Sequence, residues 1–577
     1  MRSITGKKWL MRAADKTRER ELSRALGVSP ALAALLIGRD VTTEEDARRA
    51  LDPRIAHLHD PSLMLGMAEA VKRILQAVDD RERVLVYGDY DVDGTMGTVV
   101  LRRALDLLGA EQTGFHVPHR FTEGYGVHRE ALEKAKSEGY SLIVTVDCGI
   151  RAHDALAWAT ENDLDVIVTD HHLPDDELGA PAAVAVINPN QKGCSYPDKN
   201  LAGVGVAYKL VHALLRERGR ESLVKGFLKI VAIGTVADVA PLTGENRAIV
   251  RLGLDDLPQA TNPGLRALMN VAGCGNGAGV RAYDLGFRLG PRINAAGRMD
   301  AARSVIELFE AKDEEEARRL AQLLDGHNRE RRVVQDTIVA RAFAELGDEE
   351  SECVHIVAGD DWHRGVIGLA ASKLAERRHR PCIVVSFEGD TGHGSARSID
   401  SYHLLDGLTS CADLFERFGG HAHAAGLVIR REHIPELRRR LNEHAACLLC
   451  DDDFTPTLHI DAELPSENLT CEFANELSKL EPFGAGWPRP IFSTANLRLT
   501  RPPRVLKERH LKFHLEDAHG RTHEALWWSG VEHDGAATLP AGASIELAYT
   551  LETNVWQGQE RVQLIAQDAR VASGDKR

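Results

Sequence analysis

Short apolar runs alternate with amphipathic segments over residues 82 to about 250. The runs predict five strands, at 84–88, 113–117, 142–146, 165–169 and 182–187. The segments between and after them have helical spacing, at 95–108, 127–137, 152–161, 205–217 and 223–236. Because strands that alternate with helices are typical of βαβ units, we expect a mainly parallel sheet wrapped by helices.

The other regions have different patterns. Residues 1–80 are mostly helical, and 312–346 form one long polar helix that bridges two domains. A second α/β pattern follows, with strands at 353–358 and 382–387, a helix at 366–378 and glycine-rich loops at 389–394 and 419–426. From about 455, β-like runs dominate, at 491–499, 510–515, 523–528, 544–551 and 561–566. Five short strands predict a small barrel such as an OB-fold.

The fold class is therefore α/β, with an all-β barrel at the C-terminus. We expect an N-terminal helical segment at 1–80, a catalytic parallel-sheet domain at 81–305 and a connecting helix at 306–346. A second α/β domain at 347–450 and the barrel at 455–570 complete the chain. A chain of 577 residues is too long for one core and agrees with several domains.

Composition adds limits on location and partners. We find no apolar stretch long enough to span a membrane and no signal peptide. Nine cysteines, sparse and odd in number, indicate a reducing cytoplasm, and we interpret Cys447 and Cys450 as structural. A net charge of −15 argues against a nucleic-acid partner, but only weakly, because a local arginine stripe can bind phosphate.

Acidic and histidine side chains follow three of the predicted strands. Asp89, Asp91 and Asp93 follow the first, Asp147 follows the third, and Asp170-His171-His172 follow the fourth. The first three acids share one face if the strand extends to 93, or wrap a cation in a loop if it ends at Gly88. Since ligands bind at the carboxyl ends of parallel strands, these groups should converge there.

Converging carboxylates repel one another unless cations lie between them. Asp238, at the end of an apolar stretch, is either a further ligand or a helix-end acid. Mixed carboxylate and imidazole ligands suit Mn²⁺, with Mg²⁺ as the alternative. Five or six ligands exceed the needs of one ion, and two ions about 3.5–4 Å apart are the usual arrangement for phosphoester hydrolysis.

Ordered motifs make a resemblance specific. YGDYDVDG (87–94), VDCG (146–149), TDHH (169–172) and ADVAPL (237–242) resemble the motifs of the DHH phosphoesterase superfamily. Downstream motifs resemble those of its single-strand-specific 5′→3′ exonucleases: GPRINAAGR (290–298), WHRGVIG (362–368), GSARS (394–398), FGGHAHAAG (418–426) and PFG (482–484). The resemblance covers about 50–570 and implies a DHH domain, a DHHA1-type domain and an OB-fold.

The resemblance also implies roles for the residues. It implies metal ligation by Asp91, Asp93, Asp147, His171 and Asp238, with Asp147 as the bridging carboxylate. His172 would support the site or contact the scissile phosphate. The chain departs from the family at Tyr87, where many members have a histidine, and a neutral phenol is a poor ligand. Asp89 or water would then complete that coordination shell.

Arginines supply candidate phosphate contacts. Five lie in one segment, at positions 281, 288, 292, 298 and 303, and would bind phosphate or form interdomain salt bridges. The segment 392–397 suggests a cradle of exposed backbone N–H groups. By resemblance, the substrate's 5′ phosphate would be held by Arg120, Arg298, Ser395 and Arg397, and His421 would support the backbone or contact the reacting phosphate. In the barrel, candidates for strand binding are Arg504, Lys507, Arg509, Lys512, Phe513, Trp527 and Trp556. Trp527-Trp528 is ambiguous, because adjacent strand residues face opposite sides and we expect at least one of the two in the core.

The leading hypothesis is thus a metal-dependent exonuclease that degrades single-stranded DNA from the 5′ end to 5′-mononucleotides, in DNA repair and recombination. A single-strand-binding protein or a helicase is a candidate partner, and we expect a monomer. One alternative is a small-substrate phosphoesterase for short oligonucleotides or cyclic dinucleotides, although such proteins lack the barrel. The other is a replication scaffold with a decayed site, against which the intact Asp and His set argues.

Overall fold

The computed structural model describes residues 3–13, 15–274, 279–299, 301–347, 352–556 and 559–571. The chain begins with one strand and three helices: β1 (Lys8–Met11), α1 (Lys16–Leu26), α2 (Pro30–Ile37) and α3 (Glu44–Leu51). The polar side chains of Asp15, Ser29 and Thr43 cap these three helices by accepting hydrogen bonds from backbone N–H groups of the first turns.

The first α/β unit contains a five-stranded sheet. Its elements are α4 (Met67–Asp79), β2 (Val84–Tyr87), α5 (Val92–Leu108), β3 (Thr113–His116), α6 (Arg129–Ser137), β4 (Leu142–Val146), α7 (His153–Glu161), β5 (Asp165–Thr169) and β6 (Ala185–Ile187). All pairings are parallel, in the order β3-β2-β4-β5-β6. β2 and β4 are buried along their whole length, which explains their continuous apolar sequences.

A helical layer completes this unit. It comprises α8 (Gly203–Glu217), α9 (Leu228–Ala237), α10 (Gly244–Asp256), α11 (Pro263–Ala272), α12 (Ala282–Asp284), α13 (Gly290–Arg298) and α14 (Ala302–Glu310). The predicted helix at 223–236 is in fact a 3₁₀ segment, Glu221–Phe227, followed by α9.

The predicted connecting helix is confirmed as α15 (Glu314–Leu346). Asp313 caps its N-terminus. Ala317, Leu320 and Leu324 pack in the first core, whereas Ile338 and Val339 pack in a second core. One rigid helix therefore links two cores.

The second α/β unit differs from its prediction. It contains β7 (His355–Asp360), α16 (Arg364–Arg378), β8 (Cys382–Glu388), β9 (Thr391–Arg397), α17 (Leu404–Thr409), β10 (Phe415–Gly420), β11 (Ala424–Arg430) and α18 (Ile434–Ala446). The sheet order is β10-β11-β9-β8-β7. The prediction of glycine-rich loops at 389–394 and 419–426 was wrong, because most of these residues lie in β9, β10 and β11. Pairing with neighbouring strands overrides the low strand propensity of glycine.

The C-terminal region forms the predicted barrel. Its elements are β12 (Thr457–Ile460), β13 (Ala462–Glu463), α19 (Cys471–Leu477), β14 (Phe492–Leu499), β15 (Arg504–Leu506), β16 (His510–Glu516), β17 (Thr522–Trp527), β18 (Ser544–Trp556) and β19 (Gln559–Val571). β14, β18, β19, β17 and β16 pair in turn, and β16 pairs back to β14, which closes the ring. These are the five predicted strands, and the fold class is confirmed, whereas the domain boundaries stay predictions.

The N-terminal segment packs against the barrel region. β1, which the sequence did not predict, pairs in parallel with β12, and the Trp9 indole donates to Asp568 Oδ2 at 2.7 Å. Arg39 donates to the carbonyl of Pro488 at 2.7 Å. Within the described residues, every helix is too short or too polar to cross a bilayer.

Candidate metal centre and phosphate clamp

The carboxyl ends of β2, β4 and β5 bring the predicted acids together. Strand β2 ends at Tyr87, so the loop alternative is the one the structure adopts for residues 88–91. Asp91 caps α5 by accepting from the Gly94 N–H at 3.0 Å, and Asp93 lies in the first helical turn. The same edge of the sheet carries Asp147, directly after β4, and Asp170, directly after β5.

Two glycines permit the close approach of these acids. A Cβ at Gly94 would lie 2.6 Å from the Asp89 nitrogen, and a Cβ at Gly203 would lie 2.5 Å from Asp147 Oδ1. Gly203 opens α8, and its N–H donates to Asp93 Oδ2 at 2.6 Å. The backbone of α8 can thus approach both carboxylates only because position 203 has no side chain.

Three overlapping groups of side chains could each hold a cation. Each group has ligand atoms within 4.8 Å of one another: Asp93, His171 and Asp238; Asp89, Asp91 and Asp147; and Asp147, His171 and His172. Asp147 Oδ1 lies 3.2 Å from His171 Nε2, which lies 3.9 Å from Asp93 Oδ2. Asp147 and His171 each belong to two groups, so the arrangement suits two neighbouring cations rather than one.

The chemistry of these atoms fits divalent cations. Asp89 Oδ1, Asp147 Oδ1 and His171 Nε2 are buried and have no hydrogen-bond partner among the residues that the structure describes. Burial without a partner is costly for a polar atom. Carboxylate oxygens with an imidazole nitrogen form a donor set suited to Mn²⁺ or Mg²⁺.

Electrostatics point to the same conclusion. Burial, with the charge of Asp91 next, raises the pKa of Asp89 to about 8 and that of Asp93 to about 7. Burial and then Asp93 raise the pKa of Asp238 to about 9, and the pKa of Asp147 is also well above its usual value. These acids can ionise together near neutral pH only when positive charge is supplied. His171 is already neutral, because burial and then His172 lower its pKa to about 4.

His172 is held by groups that the sequence reasoning did not assign. Its Nδ1 lies 2.7 Å from Asp170 Oδ1, and the Tyr125 hydroxyl lies 3.1 Å from the same nitrogen. Burial opposes a charge on His172, but the hydrogen bond to Asp170 raises the pKa of its imidazole. Asn188 and Asn190 donate to the carbonyls of His172 and His171. The run of three polar residues after β5 was the only sequence signal for the part played by Asp170.

Tyr87 does not face this cluster. Its hydroxyl donates to the Gly126 carbonyl at 3.1 Å, and its ring packs against His116. Burial raises the pKa of the phenol well above its usual value, so it stays neutral. Asp89 instead lies among the candidate ligands.

Three arginines from separate elements form a second cluster, which we call the clamp: Arg120, Arg298 and Arg397, with Ser395. The Arg120 guanidinium lies 4.8 Å from the centre of the ring of Tyr90, the residue between Asp89 and Asp91 in the chain. Burial, and then the charges of Arg120, Arg331 and Arg397, lower the pKa of Arg298 to about 9. Arg397 lies 3.3 Å from the Ser395 hydroxyl. Like charges buried together create a site for an anion.

Other arginines of the 281–303 segment form ion pairs instead. Arg288 pairs with Asp284 at 3.2 Å, Arg292 with Asp325 at 2.9 Å and Arg303 with Glu307 at 3.0 Å. These three arginines thus form salt bridges, but the pairs of Arg288 and Arg303 are local i,i+4 pairs and not the interdomain pairs of that alternative. Arg298 instead donates to the Gly365 carbonyl at 2.6 Å and belongs to the clamp.

One expectation about the second unit is wrong, and the position of His421 favours one of its two alternatives. Residues 392–397 are not a cradle of free backbone N–H groups, because β9 pairs with β8 on one side and with β11 on the other. This strand contributes side chains to the clamp, and not backbone N–H groups. His421 is exposed in the turn between β10 and β11, where its Nδ1 accepts from the His423 N–H at 3.3 Å. This hydrogen bond fits the backbone-supporting alternative.

Some of the barrel residues expected to bind the strand are exposed, and others are buried. Phe513 is buried in the barrel core and cannot stack on bases, which corrects that expectation. Trp527 is also buried, so it is the core member of the pair Trp527-Trp528. Trp528 is 55% exposed, and Arg504, Lys507 and Arg509 are exposed, whereas Lys512 is half-buried beside Glu524 at 2.8 Å. The Trp556 side chain lies outside the described residues.

Comparison with known proteins adds a family context. Three family models match: the DHH family, N-terminal domain, at residues 83–235, the DHHA1 domain at 351–446 and the RecJ OB domain at 460–568. The chain is 37% identical to the single-stranded-DNA-specific exonuclease RecJ of Bacillus subtilis, over 98% of this chain and 71% of the relative.

Solved structures give the same result. A crystal structure of RecJ from Thermus thermophilus in complex with Mn²⁺ superposes with a TM-score of 0.83 at 31% identity, over 98% of this chain and 79% of that one. The Mg²⁺ complex of that protein superposes with a TM-score of 0.77 at 30% identity, over 98% and 78%.

Proposed function

The chain belongs to the RecJ family of single-stranded-DNA-specific exonucleases, and from this we propose that it removes nucleotides from the 5′ end of single-stranded DNA. The products would be 5′-mononucleotides. Mn²⁺ or Mg²⁺ would serve as the cofactor, since relatives bind both ions and this chain has a matching donor set.

The observation that carries this proposal is the contact, through Tyr90, between the clamp and the acids of the candidate metal centre. We call these acids the acidic cluster: Asp89, Asp91, Asp93, Asp147 and Asp238. A Cβ at Gly297 would lie 2.3 Å from the Tyr90 carbonyl, so the end of α13, with Arg298, packs directly on the loop that carries Asp89 and Asp91. Arg120 covers the Tyr90 ring. A terminal 5′ phosphate held by the clamp would place the first phosphodiester beside the metal ligands, which would set both the polarity and the product length.

The chain's own residues would divide the work. Asp93, His171 and Asp238 would hold one cation, Asp89 and Asp91 the other, and Asp147 would contact both. Bound there, the cations supply Lewis acidity and a water of lowered pKa for phosphodiester hydrolysis. His172, kept oriented by Asp170 and Tyr125, would donate a hydrogen bond to an oxygen of the scissile phosphate.

The barrel would guide the rest of the strand. Arg504, Lys507 and Arg509 are exposed on it, and Trp528 can stack on a base. We also propose a single-strand-binding protein or a helicase as partner, a monomeric state and a cytoplasmic location. A role in DNA repair and recombination is a further part of this proposal.

One assay tests the proposal. Single strands labelled at the 5′ or the 3′ end are incubated with Mn²⁺, with Mg²⁺ or with chelator, and the products are sized on a gel. We expect a 5′ label to appear at once as mononucleotide and a 3′ label to shorten progressively, in both cases only with metal. Shortening from the 3′ end, or cleavage in chelator, would overturn the assignment.

A further inference from the structure

A cleft of about 390 Å³ extends past the clamp between the two α/β units. One wall comes from the first unit, with Tyr90, Arg120 and Tyr125. The other wall is the face of the second sheet formed by β9, β11 and β10. Of the clamp, Arg120 and Ser395 line this space, so the composition of the remaining lining indicates what else the cleft can hold.

Side chains of β9 extend along the cleft in a line. Arg397, Ser395 and His393 alternate with buried residues and therefore share one face of the strand. Consecutive members of this line are about 6.6–6.8 Å apart along the strand. His393 thus lies one step beyond the clamp, on the side of Ser395 away from Arg397.

The floor beside Ser395 consists of glycine. Ser395 pairs with Gly426 on β11, and Gly426 pairs with Gly419 on β10. A Cβ at Gly419 would meet nothing within 4 Å, and one at Gly426 would meet only the Gly394 carbonyl, at 4.0 Å. Since opposed residues of antiparallel strands lie on the same face, the row is open space next to the clamp.

The far end of the cleft is cationic. In the next row, His393 pairs with Val428, and Val428 pairs with Arg417. Arg364, the first residue of α16, also lines the cleft. Burial, and then Arg364, lower the pKa of His393; Arg417 acts in the same direction, and Glu388 and Glu416 act against it.

Two acids, Glu388 and Glu416, lie near this end. Glu416 lies at the register irregularity between Phe415 and Arg417 on β10 and forms an ion pair with Arg430 at 2.6 Å. Glu388 approaches Arg364 only at 3.8 Å. Among the residues that the structure describes, no acidic group forms an ion pair with Arg417. An anionic group would therefore be stabilised here.

We propose that this cleft accepts strands whose 5′ end carries more than one phosphate, such as a triphosphate. The proposal rests on the proposed function. The innermost phosphate would occupy the clamp, and the outer ones would lie over the glycine floor towards His393, Arg364 and Arg417. Hydrolysis would add water across the first internal phosphodiester, so that a nucleoside triphosphate with a 3′ hydroxyl leaves and the shortened strand keeps a 5′ monophosphate.

The test compares one oligonucleotide with a 5′ monophosphate and with a 5′ triphosphate. We expect the wild-type enzyme to release the nucleoside triphosphate at a rate within about threefold of the mononucleotide rate. Arg364→Gln and Arg417→Gln should each lower the triphosphate-to-monophosphate rate ratio about tenfold, as expected for loss of one charge-assisted contact. Arg439→Gln, on the exposed face of α18, is the matched control and should keep the ratio.

Two outcomes would overturn the inference: slow cleavage of the triphosphate strand by the wild type, or an equal loss on both strands in the Arg364 and Arg417 variants. Binding of both strands to the Asp147→Ala variant, followed by fluorescence anisotropy, separates this inference from the proposed function. If no strand is cleaved, the proposed function fails. The ratio of the two affinities, and its response to Arg417→Gln in that background, still decides the inference.

Discussion

The acidic cluster and the clamp carry opposite charges. The first contains the buried acids Asp89, Asp93 and Asp147, and the second contains the half-buried arginines Arg298 and Arg397. In each, burial and like neighbours shift the pKa values towards the neutral form. Among the described residues, no ion pair with an opposite charge compensates Arg298 or Arg397, and no lysine or arginine pairs with the three acids, so each cluster is stable in its charged form only with a ligand of opposite sign. Cations satisfy the acids, and the substrate's phosphate satisfies the arginines.

The two clusters therefore should fail differently when altered. Loss of an acid removes the chemistry and leaves the strand bound, whereas loss of an arginine weakens recognition of the strand's end and leaves the cations bound. The following predictions test this contrast.

Replacement of Asp147 should have the largest effect. Asp147→Ala removes the carboxylate common to two candidate cation groups. We expect kcat to fall by at least about 10³-fold, or ~4 kcal/mol of barrier, while affinity for single-stranded DNA changes little. Steady-state rates and fluorescence anisotropy measure the two quantities. Asp165→Ala, at the opposite end of β5, is the control and should keep activity; wild-type turnover by Asp147→Ala would refute the metal centre.

Replacement of Arg397 should have a smaller and more selective effect. Arg397→Ala should lower the preference for a 5′-phosphorylated over a 5′-hydroxyl end about 10-fold to 100-fold, the range for a hydrogen bond between charged groups. Arg303→Ala, an arginine paired with Glu307, should leave the preference unchanged. Competition between the two strands in one reaction gives the ratio directly. An unaltered ratio in Arg397→Ala would show that the clamp does not recognise the 5′ phosphate.

The two clusters also differ in how far sequence could predict them. The acids follow successive parallel strands, whose carboxyl ends share one edge, so their spacing along the chain was enough to place Asp89, Asp147 and His171 together. No such rule places the residues of the clamp together. Arg120 lies in a loop, Arg298 ends α13, and Arg397 lies on a strand whose glycines predicted a loop. Only the resemblance to a family connected these residues.

The contacts that support the site could not be predicted from the sequence, for the same reason. Tyr125 reaches His172 from a loop, and the strand β1 pairs with β12 across most of the chain length. Such contacts depend on tertiary packing, and no periodicity in the sequence encodes them.

The acidic cluster should make metal binding depend on pH. In the metal-free folded protein, Asp93, Asp89 and Asp238 keep protons up to pKa values of about 7, 8 and 9, whereas the unfolded chain releases them near pH 4. The folded state thus binds more protons, and its metal-free stability falls as pH rises through this range. Cations replace those protons, so the stabilisation by metal should grow with pH.

Thermal unfolding with and without Mg²⁺ from pH 6 to pH 9 measures this effect. Each displaced proton adds up to about 1.4 kcal/mol of metal binding per pH unit. Asp147→Ala should show a much weaker rise, whereas Arg397→Ala should show the wild-type rise, since the clamp does not hold cations. A metal-induced increase in Tm that is constant from pH 6 to pH 9 would contradict the assignment of these acids as ligands.

The smallest effect is expected at Tyr87, where the chain departs from many of its relatives. The phenol points away from the acids and donates to the Gly126 carbonyl, so it belongs to neither cluster. Tyr87→Phe should cost about 1 kcal/mol of stability through the lost hydrogen bond, with kcat and the metal requirement within about twofold of wild type. Metal titrations of activity measure the second quantity. A large rise in the metal concentration needed for half-maximal activity would show that Tyr87 contributes to the metal centre.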